Sequence, residues 1–350
     1  MITKEIVGNF DGRDVIQYNL INNNDMQVSI INYGGIIRKI LFKDKDGIND
    51  NRILSYKDIN LYKKNPMFFG AIIGRIAGRI SNAKYILDNI WYELEKNEDD
   101  RNLHGGTNGV HHKFWEANIK EEFEKSTLRL SLEDMQHDGF IGDLSICVEY
   151  SLDNNNSLEI KYFVKTNRRT ICNMTNHMYF NLSGSMVNDT IENHYLSIDA
   201  NKIAMVDEKT LPIGKFLEAD QDEIFNFNKM RKVGLYGMNT HEQQKIVNDG
   251  YDHAFKLNKN CKYDISLKEE KSGIRVDVNT TEDAVVVYSC NKVDIPYELE
   301  KHTLKKYSGI TIETQQMPDI VNTTEFDKVV IEPNKPYQSK TIFHFSIEKG

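Results

Sequence analysis

Across 350 residues, 52 acidic side chains outnumber 44 basic ones, leaving a formal net charge of -8 at pH 7. Nucleic-acid binding draws on a basic face that displaces counterions. The adjacent pairs Arg168-Arg169 and Lys305-Lys306 are isolated, so no such face is supplied and a nucleic-acid partner is excluded. No apolar run approaches the ~20 residues of a membrane span, so no membrane partner is expected either.

The length allows one large all-β domain or two ordinary ones. With only 6 prolines and no Gly/Ser-rich linker, a single domain over 1–350 is the simpler expectation. The four cysteines are scattered, without a Cys-x-x-Cys spacing. They read as reduced thiols rather than a disulfide framework or zinc site. The first residues, Met-Ile-Thr-Lys-Glu, lack the apolar stretch of a signal peptide, and the cytoplasm is the expected compartment.

Taken in chain order, residues 56–64 carry the first, short helical signal. Period-two alternation then dominates: residues 128–132, 144–152 and 158–164 each place apolar side chains on one face. Asp153-Asn154-Asn155-Asn156 between the last two is a hairpin turn by composition. Residues 227–233 give a second helical signal. Residues 276–278 alternate again, and 285–288 (Val-Val-Val-Tyr) read as a strand buried on both faces. Strands do not alternate with long amphipathic helices, which disfavours a parallel α/β sheet. The expected fold is all-β, a large antiparallel β-sandwich with few short helices.

The generic cofactor and nucleophile motifs, from dinucleotide loop to Gly-x-Ser-x-Gly elbow, are absent. Gly70, Gly74 and Gly78 are spaced by four, and read as places where backbone approaches a ligand or another strand.

Four local clusters carry chemistry. In Leu103-His104-Gly105-Gly106, two glycines let the chain turn sharply beside a histidine. His111 and His112 follow and raise a zinc hypothesis. Adjacent strand residues point to opposite faces, so at most one could join His104, and no metal is expected. Residues 173–182 interleave Asn176, His177 and Asn181 with Tyr179 and Phe180, a mixture of amide, imidazole and ring suited to a sugar. In residues 249–255, Asp252 could accept bonds from two adjacent hydroxyls. In residues 309–322, Thr311, Glu313 and Gln315 share one strand face. Singly, each has an ordinary structural explanation: a core histidine, an Asp-stabilised turn, a surface glutamate.

Together, in this order, they resemble the aldose 1-epimerase (galactose mutarotase) family. Asn32-Tyr33-Gly34-Gly35, residues 74–80 and residues 138–143 match as well, so the resemblance runs from about Asn32 to about Asn322. It implies a large β-sandwich, often called a supersandwich, with a sugar cleft on one sheet and no cofactor or metal. It makes His177 the general acid and Glu313 the general base for opening and reclosing a pyranose ring. It makes Arg79, His104 and Asp252 substrate-binding residues, Asp252 toward the distal hydroxyls. The implied partner is a small monosaccharide, handled by a monomer or weak homodimer.

The family pattern is broken at three places. Gly78 stands where an Asn usually precedes the arginine. Val286 stands where a Gln is usual. The acidic residue expected after the His-Gly-Gly loop is replaced near His111. Rival readings are a hexose-6-phosphate 1-epimerase on the same fold, a non-catalytic carbohydrate-binding protein, and a glycosidase using Asp252 and Glu313.

Overall fold

A computed structural model describes residues 1–185, 189–234 and 241–348. Among them, three antiparallel sheets hold most of the strand residues. The N-terminal sheet runs Ile2–Phe10, Arg13–Ile21, Gln27–Ile31, Ile37–Lys43 and Asn49–Asn51, neighbour to neighbour. The largest has nine strands. In spatial order they are Glu116–Glu121, Lys125–Asp134, Leu144–Asp153, Ser157–Thr166, Tyr337–Ile347, Ile274–Thr280, Ile265–Glu269, His194–Ile198 and Arg231–Lys232. The third runs Pro212–Glu218, Ala200–Val206, Asp252–Leu257, Ala284–Tyr288 and Glu313–Gln315.

One contiguous apolar core takes side chains from all three, among them Val28 and Ile40, Leu128 and Val148, and Ile203, Phe255, Val285 and Val287. Strand pleating explains this: in Ser157–Thr166, Leu158, Ile160, Tyr162 and Val164 are buried while their neighbours are partly or fully open. The Asp153 carboxylate accepts the Asn155 and Ser157 amides, closing the expected hairpin turn. Residues 284–287 are buried on both faces, as the all-apolar run requires.

The helical expectations fare less well. Within 56–64 there is only a 3-10 turn, Ile59–Lys63, whose Asn60 amide is capped by the Asp58 side chain. Residues 227–233 are not helical. Phe227 is drawn into the core against Tyr251 and Phe255, and Arg231–Lys232 pairs with Tyr195 and Leu196. The one α-helix among the described residues, Glu242–Ile246, is too short to register as a period. His111 and His112 lie in a 3-10 turn, Val110–His112, not on a strand. No helix among the described residues is long and apolar enough to cross a membrane.

Candidate active site

The third sheet buries one face in the core and turns the other toward a cavity of about 280 Å³. Period-two alternation selects what lines it. From Ala200–Val206 come Ala204 and Val206, from the next strand Asp252 and Ala254, then Val286 and Tyr288, then Glu313 and Gln315. Val286 lies in register opposite both Ala254 and Glu313, so the carboxyl adjoins an apolar wall.

The opposite wall comes from three other segments. Tyr179–Phe180 pairs with Ile310–Thr311, and Thr175–Asn176 with Ile72–Ile73, which carries His177 across the cavity floor. Asn102–Leu103 pairs with Arg79–Ile80, setting His104 beside Arg79. Gly105 is required there: at φ +86°, any Cβ would lie 2.2 Å from the Gly74 carbonyl oxygen.

His177 and Glu313 meet. The imidazole Nε2 lies 3.4 Å from Glu313 Oε1, and the two residues are 5% and 3% exposed. Thr311 donates to the same carboxyl oxygen at 2.9 Å and accepts the Tyr288 amide, which fixes the hydroxyl's direction. The His177 ring is hemmed in by Tyr179, His104 and Phe68, with centroids at 5.1, 5.3 and 5.7 Å.

Burial sets the ionisation. Desolvation pulls His177 down to about 3, with Arg79 adding to the effect. Desolvation also pushes Glu313 up to about 8, against the Thr311 hydrogen bond and Arg79. At neutral pH the pair therefore holds one proton, and holds it as a carboxylic acid beside a neutral imidazole. An exposed pair would place the proton the other way, on an ordinary histidine facing a carboxylate; the low-dielectric wall is the reason for the difference.

His104 is the third member. The Gly78 amide donates to its Nδ1 at 3.2 Å, while burial and the nearby guanidinium of Arg79 keep the ring neutral. The remaining proton is then on Nε2, so His104 presents a hydrogen-bond donor. His104, His177 and Glu313 place one ligand-type atom each within 4.8 Å of one another, a His-His-Glu set of the kind that can hold a metal. With Nδ1 of His104 engaged and Nε2 protonated, that ring serves an oxygen acceptor more readily than a cation. His111 is buried behind Phe68, and His112 bonds the Thr107 and Lys64 carbonyls, so neither joins the cluster.

Arg79 crosses the cavity edge. Its Nε and Nη2 grip Glu98 at 2.7 and 3.0 Å, and Nη1 lies 3.8 Å from Asp252. Burial alone would lower its pKa; Asp252 and Glu98 reverse this and hold it above the ordinary value. Asp252 is itself pushed up by burial.

All five candidate residues thus line one cavity. The amides of residues 173–182 do not. Asn176 and Asn181 donate to the Gly70 and Ser308 carbonyls, and Asn173 clamps the Gln316 backbone, so they position the site rather than contact a ligand. Sequence reasoning missed Glu98, which reads as one charge in the acidic stretch from Glu95 to Asp100. It also missed Phe68, Tyr288 and the rim residues Lys292 and Asp294. Glu98 lies six residues before His104, near enough for the arginine pairing to have been sought.

An all-β sandwich whose concave polar pocket gathers a buried imidazole, a carboxyl and aromatic rings has the form of a small-molecule enzyme site. The family model for aldose 1-epimerase matches residues 17–344, and the chain belongs to that family, whose members are isomerases. It is 29% identical to galactose mutarotase from Bos taurus, over 99% of both chains. It is 28% identical to aldose 1-epimerase from Streptococcus thermophilus, over 95% of this chain and 94% of the relative. The crystal structure of galactose 1-epimerase from Lactobacillus acidophilus superposes with a TM-score of 0.89 at 28% identity, covering 100% and 99% of the two chains.

Proposed function

We propose that this mutarotase interconverts the α and β anomers of a free, uncharged aldose such as glucose or galactose, with His177 and Glu313 as its acid–base pair. The observation that carries the reading is the buried imidazole–carboxyl pair of His177 and Glu313, 3.4 Å apart in one polar cavity with Arg79, His104 and Asp252.

A cyclic aldose is a hemiacetal. Ring opening needs a proton delivered to the ring oxygen and one removed from the anomeric hydroxyl; reclosure on the other aldehyde face runs the same transfers backwards. A pair sharing one proton supplies one donor and one acceptor, and ends each cycle as it began. Sugar oxygens entering between the two groups let the proton move to His177 for delivery to the ring oxygen. Glu313, then a carboxylate, takes the anomeric proton, steadied by the Thr311 hydroxyl and by Arg79. His104 donates Nε2–H to an oxygen near C1, and Asp252 holds hydroxyls at the far end.

The residues at the broken family positions suit this chemistry. Val286 forgoes an amide contact but walls Glu313 in hydrocarbon. Gly78 adopts φ +81°, and a Cβ there would already touch Pro318 and Gln315, so the amide of Gln315 borders the space where an Asn side chain would reach.

Reduced cysteines, three buried and Cys261 exposed, suit the cytoplasm.

Polarimetry on freshly dissolved α-glucose and α-galactose tests the reading. Anomeric equilibration should be accelerated by the protein, and Glu313→Gln should abolish the acceleration. A panel of free aldoses all equilibrating at the uncatalysed rate would refute it.

A further inference from the structure

Arg79 is the cavity's half-buried cation, and a carboxylate already holds it. A guanidinium captures phosphate or carboxylate bidentately through two adjacent N–H groups. Here the Nε/Nη2 edge is taken by both oxygens of Glu98 at 2.7 and 3.0 Å. Asp252 stands 3.8 Å from the third nitrogen. Glu98 is fixed from behind: Arg101 Nε lies 3.2 Å from its Oε2, and Arg101 Nη1 donates to the Lys209 carbonyl at 2.6 Å, tying the segment to the 207–211 turn. Asp294 adds a further acidic group at the rim, opposed there by Lys292. The other arginine of the 74–80 motif cannot help. Arg75 is 1% exposed and spends its fork on Asp134 and on the Ile141, Gly142, Asp134 and Met135 carbonyls.

We infer that Glu98 is a specificity-determining residue that occupies the anion-binding edge of Arg79 and so restricts the site to uncharged aldoses, rejecting sugar phosphates. The inference rests on the mutarotase reading and deepens it. Glu98 acts in two separable ways. Its charge repels an incoming anion, and its bidentate geometry aims Nη1 of Arg79 into the cavity. Discrimination by an unfavourable charge placed against the wrong ligand is a general route to specificity.

The two effects separate by substitution. Glu98→Gln removes the charge and keeps the size; Glu98→Asp keeps the charge and shortens the reach; Glu98→Ala is a second charge-removing variant should the amide disturb folding. Mutarotation of glucose and of glucose 6-phosphate is followed for each by polarimetry, and binding of inorganic phosphate by calorimetry. The wild-type protein should favour glucose strongly and bind phosphate weakly. Glu98→Gln and Glu98→Ala should cut the preference for the neutral sugar by about tenfold or more and tighten phosphate binding to match. Glu98→Asp should lose kcat on glucose while keeping the preference. An unchanged preference and unchanged phosphate affinity in both charge-removing variants would overturn the role of Glu98. Equal wild-type turnover of the two sugars would overturn it too. A wild-type protein that accelerates neither sugar brings down the mutarotase reading itself, while the phosphate titration of the variants still judges the charge effect alone.

Discussion

At the residue scale, the pair's proton count determines the pH response. Glu313 loses the shared proton as pH rises through about 8, leaving no acid. His177 gains a second proton as pH falls through about 3, leaving no base. Activity should therefore be flat across the neutral range, fall above about 8, and persist into acid until the fold fails; both limbs belong to the pair rather than to either residue. A pH–rate profile with a midpoint near 6.5, that of an ordinary histidine, would contradict this. Val286→Gln should bring an amide to the carboxyl and move the alkaline limb down by ~1 unit, read from the same profile. None of this was legible in the sequence. The motifs identified His177 and Glu313, but alternation along 310–315 gives only the face Glu313 shares with Thr311, not that this face meets a buried imidazole. Burial, which inverts the expected proton placement, is a product of strands far apart in the chain.

At the scale of elements, the strands were legible because they are long and half-buried, so pleating prints itself on the sequence, as in Ser157–Thr166. The short pieces were not. Tyr179–Phe180, Asn102–Leu103 and Arg79–Ile80 are two-residue ladders held by tertiary contacts, and they carry the site. Resemblance identified residues 74–80 and 138–143 as motifs without saying why they occur together. Residues 138–143 wrap the buried guanidinium of Arg75, so the loop and the strand that leads to Arg79 are one structural unit. Asp134 completes it, 2.7 Å from Arg75 Nε. Asp134→Ala strands that charge and should destabilise the protein by about 3–5 kcal/mol, seen as a lowered urea midpoint at pH 7. The folded fraction should keep its KM, because Asp134 does not line the cavity; a raised KM with undiminished stability would place Arg75 in the site instead.

At the scale of the whole molecule, the cost of that buried pair appears in how stability varies with pH. Glu313 is raised from 4.5 to about 8, so below 4.5 its contribution is fully present, and it is lost as pH climbs to about 8. His177 is lowered from 6.5 to about 3, so its contribution is fully present above 6.5 and is lost as pH falls toward 3. Between 4.5 and 6.5 the two slopes cancel: the unfolded chain carries the proton on histidine and the folded chain carries it on Glu313. These two groups alone give a stability plateau over that window, with descending limbs on either side of roughly 1.4 kcal/mol per pH unit at their steepest. Glu313→Gln, neutral at every pH, should erase the alkaline limb and let the acid one reach up to 6.5; His177→Asn should erase the acid limb and let the alkaline one begin at 4.5. Denaturation midpoints of the three proteins from pH 4 to 9 measure this directly. The variant that abolishes mutarotation should then be the more stable protein above pH 7. If it is not, Glu313 is not held neutral by burial, and the one-proton account of the site falls with it.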